Sequence, residues 1–113
     1  MATARDLRRL ALALNGTSEA PHFDRTAFRV KRIYATLAPD GLSANLKFSP
    51  DEQAFKCMLM PEAFQPVPNA WGQRGSTTVT LAKITVAGLK AALEMAWLHA
   101  LPTKRVSRRG KRA

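Results

Sequence analysis

Two segments that alternate apolar and polar residues, 33–37 and 42–48, flank the turn sequence Pro39-Asp40-Gly41 and constrain the fold most strongly. Side chains along a strand point alternately to the two faces of a sheet, so the pattern predicts an antiparallel hairpin with one wet face. Proline, aspartate and glycine favour the tight turn between such strands. The expected inward set is Ile33, Ala35, Leu37, Leu42, Ala44, Leu46 and Phe48, and the expected outward set is Tyr34, Thr36, Ser43, Asn45 and Lys47.

Helix and strand signals follow one another along the rest of the chain. Helices are expected over 3–14, from Ser49 to Pro61 and from Thr85 to before Pro102, strands over 26–30, 64–68 and 77–81, and a loop over 17–25. The prolines in 64–68 place that strand at an edge. The order α-β-β-β-α-β-β-α predicts an α+β domain, with helices packed on one face of an antiparallel sheet.

Two helices begin with a capping box, in which a hydroxyl residue and an acid three positions later bond each other's backbone N–H groups. Thr3 with Asp6 and Ser49 with Glu52 have this spacing. The helix that begins after Ser49 also has four apolar residues at helical spacing. Its expected buried stripe is Ala54, Phe55, Met58 and Leu59.

Positive charge is concentrated at the C-terminus. The chain has 18 Lys and Arg against 8 Asp and Glu, a net charge of +10. Six of the cations lie in the last ten residues, namely Lys104, Arg105, Arg108, Arg109, Lys111 and Arg112. We therefore expect a domain over 1–102 and a basic, disordered tail over 103–113. Such a tail either binds nucleic acid or only keeps the protein soluble.

Size and composition favour a single cytoplasmic domain, with a monomer as the simplest state. No apolar run approaches the ~20 residues that span a membrane. Residues 1–16 lack the cleavage pattern of a secretory signal. Cys57 is the single cysteine, which excludes a disulfide framework and a cysteine-rich zinc site.

Motifs typical of catalysis are absent from the sequence. There is no nucleophile elbow, no phosphate-binding Gly-Lys-Ser/Thr loop and no dinucleotide-binding glycine pattern. The acids are scattered, which disfavours iron and other hard cations. His22 lies near Glu19 and Asp24 and has the chemistry of a base or a ligand, but such a histidine more often bonds backbone carbonyls. We therefore expect no catalytic residue, no metal and no cofactor.

The loop over 66–79 combines a tryptophan, a cation and two glycines. In one interpretation, Arg74 and backbone N–H groups approach an anion while Trp71 offers a flat platform. In the other, Trp71 covers the core beside Pro66 and Pro68, and the glycines only permit the turns. The sequence favours the second role for Trp71 and leaves Arg74 open.

Taken together, several segments resemble the MmcQ/YjbR family of small bacterial proteins. They are Glu19-Ala20-Pro21-His22-Phe23, Ala27-Phe28-Arg29-Val30, Ile33-Tyr34-Ala35-Thr36-Leu37, Leu46-Lys47, Pro50-Asp51-Glu52-Gln53, Pro66-Val67-Pro68, Trp71-Gly72 and Thr77-Thr78-Val79. The resemblance covers about residues 5–101 and departs at Lys31-Arg32, where a glycine is more typical. It implies a frataxin-like fold with a double-wing arrangement of hairpins, and DNA binding.

Two sets of candidate site residues follow. The nucleic-acid-binding set is Arg29, Lys31, Arg32, Tyr34, Lys47, Arg74, Lys104, Arg105, Arg108 and Arg109, in which cations neutralise phosphates and Tyr34 stacks on a base. The alternative is an ordinary solvated sheet face. A pocket among His22, Phe23, Trp71 and Arg74 would instead indicate a small-molecule or protein interaction module.

Overall fold

A computed structural model describes residues 1–101 as one α+β unit, and the predicted tail lies outside the described residues. The helices are α1 (Ala4–Ala13), α2 (Pro50–Leu59), α3 (Ala70–Gln73) and α4 (Val86–Ala100). The strands are β1 (Ser18–His22), β2 (Arg25–Arg29), β3 (Ile33–Leu37), β4 (Ser43–Lys47), β5 (Phe64–Pro66) and β6 (Ser76–Thr80). The predicted fold class is confirmed.

The strands form one antiparallel sheet in the order β1-β2-β3-β4-β6-β5, so β5 is an edge strand as its prolines predict. The core lies between the sheet and the helices α1 and α4. Its fully buried members include Leu7, Phe28, Leu46, Leu89 and Leu93. The opposite side of the sheet, called the open face below, carries Arg25, Thr36, Asn45, Lys47 and Thr78.

Local helix signals are confirmed. The Thr3 side chain accepts a hydrogen bond from Asp6 N at 3.2 Å, and the Asp6 carboxylate accepts one from Thr3 N at 3.0 Å. Ser49 and Glu52 form the same reciprocal pair at the start of α2. Both boxes satisfy backbone donors that a helix start otherwise leaves free.

The segment predicted as a loop over 17–25 contains strand β1. It pairs with β2 in register from Ser18 opposite Arg29 to His22 opposite Arg25. β1 is an edge strand that is exposed along most of its length. Because an edge strand buries little of either face, it has no apolar alternation, and its sequence has the composition of a loop.

The prediction that Tyr34 points outward is wrong because β3 carries a β-bulge. Phe28 lies opposite Ala35, but the next residue, Arg29, lies opposite Ile33, so Tyr34 has no partner on β2. A bulge of this kind shifts the alternation of side chains by one position. Tyr34 is consequently buried, and its hydroxyl donates to the carbonyl of Ala11 in α1 at 3.2 Å.

The same bulge reverses the prediction for Ile33. Instead of entering the core, Ile33 is half-buried and lines cavities on the open face. Beyond the bulge the predictions hold, with Ala35 buried and Thr36 on the open face. One extra residue in a strand therefore changes which side chains reach each face.

Two further apolar predictions are wrong. In α2 the whole expected stripe of Ala54, Phe55, Met58 and Leu59 is exposed. The Gln53 amide instead donates to the carbonyls of Gly72 and Ser76, both at 2.9 Å, and this anchor turns the stripe away from the sheet. Leu42 is exposed because its N–H bonds the Asp40 carboxylate at 2.9 Å, which keeps Leu42 in the turn before β4 begins.

Among the helices of residues 1–101, none combines the length and the apolar character needed to cross a membrane. In the same residues, no group of three or more His, Cys, Asp and Glu side chains is placed to hold a metal ion. Burial raises the pKa of the Cys57 thiol, so Cys57 favours the protonated form that packs against the core.

Tyr34 is the single tyrosine of the chain, so tyrosinate absorbance reports its titration alone. Burial raises the pKa of Tyr34 above its ordinary value, which is about 10. Its contribution to stability is therefore complete below that ordinary value and is lost as the pH rises through the higher folded value. We expect the absorbance transition at higher pH in native protein than in denaturant, and coincident transitions would contradict the buried position.

A Tyr34→Phe variant provides the matched control. It keeps the ring and removes hydrogen bonds to Ala11 and Thr17, so the free energy of unfolding should fall by about 1 kcal/mol in urea. The variant should also lose less stability than the wild type at alkaline pH.

Candidate functional site

One cavity lies on the open face, and a second adjoins it at the end of the sheet, where the β2–β3 turn meets α4. The aromatic cavity, of about 360 Å³, lies between the tip of the β1–β2 hairpin and the loop that contains α3. The basic cavity, of about 430 Å³, lies beside the β2–β3 turn and the C-terminal end of α4. Lys47 and Ile33 line both, so the cavities share a wall.

The aromatic cavity is lined by His22, Phe23, Asp24, Arg25, Ile33, Ala35, Thr36, Asn45, Lys47, Val67, Asn69, Trp71 and Ser76. The basic cavity is lined by Arg29, Lys31, Arg32, Ile33, Lys47, His99 and Ala100.

Trp71 is held outside the core by the backbone of its loop. The Asn69 side chain caps α3 by accepting a hydrogen bond from Trp71 N at 2.9 Å. Gly72 is buried against Val67, and a Cβ at Gly72 would overlap the Val67 carbonyl. Trp71 remains 55% exposed and forms a wall of the aromatic cavity. The interpretation of Trp71 as a cover for the core is therefore wrong.

Two cations contact the Trp71 ring. Lys47 Nζ lies 4.5 Å from the ring centroid, and Arg74 Cζ lies 5.6 Å from it. Cations at this range are attracted by the electron-rich face of the indole. The arrangement places positive charge beside a large, accessible aromatic surface.

Lys47 is half-buried without a carboxylate partner among residues 1–101, where the two ion pairs are Arg8–Glu19 and Arg9–Asp6. Burial lowers the pKa of Lys47, because the charged ammonium loses part of its hydration. An anion near Nζ would compensate that loss. Lys47 is therefore the described cation best placed to gain from a bound anion.

Phe23 lies at the tip of the β1–β2 hairpin, with an exposed apolar side chain and a strained backbone. It is 93% exposed, and its φ of 59° is the one positive φ of a non-glycine residue in the described chain. The left-handed conformation costs an L-residue about 1–2 kcal/mol. A large apolar side chain held in this way at the mouth of a cavity is a mark of a functional position.

Polar side chains form the floor of the aromatic cavity. Arg25 donates through Nε to the Thr36 hydroxyl at 2.9 Å, which holds the hairpin tip next to the sheet. The Asn45 carboxamide oxygen accepts from the Thr78 hydroxyl at 2.8 Å, and its amide N–H groups have no partner in residues 1–101. Ser76 is only 6% exposed, and its hydroxyl also has no hydrogen-bond partner in this part of the chain.

The structure brings together most of the predicted residues. Arg29, Lys31, Arg32 and Lys47 surround the basic cavity, where Arg32 also donates to the His99 carbonyl at 3.5 Å. His22, Phe23 and Trp71 line the aromatic cavity, and Arg74 lies against Trp71. Tyr34 is separated from them in the core, and Lys104, Arg105, Arg108 and Arg109 lie outside the described residues.

Sequence reasoning missed Arg25, Asn45 and Ser76 as site residues. Arg25 falls in the segment predicted as a loop, although it starts the strand that pairs with β1. Asn45 was expected on the wet face but not in a cavity. Ser76 offers no sequence signal, because its neighbours are distant along the chain: Val67 N and the Gln53 amide both donate to the Ser76 carbonyl.

Comparisons with known proteins agree with one another. A family model described as YjbR matches residues 12–99. The crystal structure of Deinococcus radiodurans protein DR2400, with a DUF419 domain, aligns at a TM-score of 0.74 and 25% identity, covering 93% of this chain and 81% of that chain. No curated protein sequence matches the chain. The region that the family model matches includes the open face and the Trp71 loop.

The loop that carries Trp71 depends on Gly75, whose φ is 110° and where a Cβ would overlap the Phe48 carbonyl. Gly75→Ala should lower the free energy of unfolding in urea by more than about 2 kcal/mol, since backbone overlap adds to the ~1–2 kcal/mol of left-handed strain. Gly16→Ala is the control, because its φ is also positive but its Cβ has ordinary space. Equal losses in the two variants would contradict the close approach.

The strain at Phe23 predicts opposite effects on stability and binding. Phe23→Asn should raise the free energy of unfolding by up to about 1 kcal/mol, because asparagine tolerates the left-handed conformation. It should also weaken any ligand of the aromatic cavity. Phe55→Asn, at another exposed aromatic with a helical backbone, should give no gain in stability. A less stable Phe23→Asn protein would show that the hairpin requires phenylalanine structurally.

Proposed function

The chain belongs to the YjbR family, and we propose that it binds DNA with low sequence specificity through the open face of its sheet, without catalysing a reaction. The observation that carries this proposal is the charge around the two cavities. Five cations line them, namely Arg25, Arg29, Lys31, Arg32 and Lys47, against the single acid Asp24. Such a concentration of positive charge suits a polyanion.

These cations are available for phosphates. The ion pairs of residues 1–101 involve Arg8 and Arg9 of α1, away from the cavities. Arg29, Lys31 and Arg32 are exposed at the β2–β3 turn, where they can meet a phosphate backbone without rearrangement of the sheet. The turn sequence Lys31-Arg32, at which the chain departs from the family pattern, thus adds charge at this position.

Low specificity follows from the type of contact. Phosphate contacts fix position and orientation but do not read sequence, which requires contacts to base edges. The longest helices, α1 and α4, pack on the other side of the sheet. The open face therefore presents no long helix that could enter a major groove in the manner of helical DNA readers.

The aromatic cavity supports a second candidate function, small-molecule binding. Its 360 Å³ lies within the ~300–1,000 Å³ of ordinary ligand pockets, and Phe23 and Trp71 offer apolar surface with a few polar groups at the floor. A neutral ligand of this cavity would bind with little dependence on salt. That property separates this function from phosphate recognition.

Salt titration tests the proposal. Fluorescence anisotropy with labelled DNA should show affinity that falls steeply with salt, and Arg29→Gln should reduce the log–log slope by up to about 0.9 if one phosphate contact is lost. Arg5→Gln, an equal charge change on the exposed side of α1, should leave the slope nearly unchanged. Absence of binding at low salt would refute the function, and equal slopes in both variants would place DNA elsewhere.

Deletion of residues 104–113 measures, in the same assay, how much the tail contributes to DNA binding. The deletion removes six of the 18 cations. If the tail contacts phosphates, the slope should fall further than in Arg29→Gln, by up to about 0.9 for each contact. An unchanged slope would assign the tail to solubility alone.

A further inference from the structure

We infer that the aromatic and basic cavities together hold one unpaired nucleotide, with its base against Trp71 and its phosphate at Lys47. The inference rests on the proposed function and specifies the chemical unit that the open face recognises. It predicts that an unpaired base is bound in preference to a paired one.

The walls of the aromatic cavity suit a flat heterocycle. Trp71 and Phe23 are both exposed and line this cavity, and Ile33 adds apolar surface to the wall that it shares with the basic cavity. An unpaired base gains contact energy by stacking on an aromatic side chain, and this gain depends little on which base it is. The cavity volume of about 360 Å³ is within the range of small-ligand pockets, so it accommodates one base rather than a run of stacked bases.

The floor offers hydrogen-bonding groups for the edge of a base. Ser76 is 94% buried as a residue, and its hydroxyl has no hydrogen-bond partner within residues 1–101, so a ligand in the cavity could supply one. The free amide N–H groups of Asn45 are donors on the same face. A donor amide and a hydroxyl that can donate or accept match the mixed edges of nucleobases.

Lys47 connects the two cavities. It touches the indole of Trp71 at 4.5 Å and also lines the basic cavity with Arg29 and Arg32. In a nucleotide the phosphate is joined to the base through one sugar, so a base site and a phosphate site must be adjacent. The shared wall at Lys47 supplies that adjacency, and the half-buried ammonium gains a counter-charge.

Duplex DNA does not present this unit. Its bases are stacked and paired, and placing one in a pocket requires extrusion from the helix at a cost in unpairing and unstacking. A single strand lacks most of this cost. The geometry therefore points to single-stranded DNA, or to a free nucleotide with the same chemistry.

Anisotropy titrations with a single-stranded oligonucleotide and a duplex of the same length test this inference. The wild type should bind the single strand about tenfold or more tightly than the duplex. Trp71→Leu should weaken single-strand binding about tenfold with little effect on the duplex, because stacking is lost. Phe55→Leu is the matched control, since Phe55 is an exposed aromatic outside both cavities.

Lys47→Met tests the link to phosphate, with Lys90→Met on α4 as the charge-matched control. Lys47→Met should weaken single-strand binding more than Lys90→Met at the same salt. Circular dichroism and urea unfolding check that each variant folds. If the two lysine variants weaken single-strand binding equally, the assignment of Lys47 as the phosphate contact is overturned.

Competition with a nucleoside monophosphate distinguishes the two sources of the ligand. If the monophosphate displaces the oligonucleotide at a concentration close to the dissociation constant of the oligonucleotide, the site is supported with a free nucleotide as its ligand. If displacement requires a far higher concentration of the monophosphate, the site is supported with a single strand as its ligand. Equal affinity for single strand and duplex, unaffected by Trp71→Leu, would overturn the inference and leave DNA binding standing. Failure to bind any nucleic acid at low salt would overturn both.

Discussion

The β-bulge at Tyr34 is the constraint on which both sides of the sheet depend. Because β3 has one residue more than β2 at this point, Tyr34 enters the core while Ile33 moves to the open face. The Tyr34 hydroxyl then bonds α1 through the Ala11 carbonyl, which ties the helix layer to the strand. On the other side, Ile33 becomes part of the wall between the two cavities. Packing and site geometry thus follow from one extra residue.

Local signals explain why much of the fold was predictable from sequence. A capping box, a Pro-Asp-Gly turn and strict alternation each act within a few residues, so the predictions hold for Thr3, for Ser49 and for the strand Ser43–Lys47, though not for Leu42 before it. The errors arose where a distant partner decides the outcome. β1 exists because β2 pairs with it, and α2 is oriented by the bonds of Gln53 to Gly72 and Ser76. A single sequence does not display such contacts.

The candidate site likewise combines features that local sequence predicts with features that depend on distant contacts. The cations at the β2–β3 turn were evident from sequence, since their charge and the turn are local properties. The exposure of Trp71 was not evident from sequence, because it depends on the close approach of Gly72 to Val67 and on the cap that Asn69 provides. The strain at Phe23 cannot be read from the sequence either, because the geometry of the hairpin, and not the residue type, sets the φ of 59°.

Three unfavourable features occur together at the aromatic cavity. Phe23 has a left-handed backbone, Lys47 is half-buried without an ion pair in the described chain, and Ser76 is a buried residue whose hydroxyl has no hydrogen-bond partner there. Each would be relieved by an ordinary substitution, such as asparagine, methionine or alanine, with no change in the course of the backbone. The helix side of the sheet has no comparable concentration of costs among its described residues. Stability alone therefore does not account for these residues, whereas a ligand that stacks, carries negative charge and forms hydrogen bonds would offset all three costs at once.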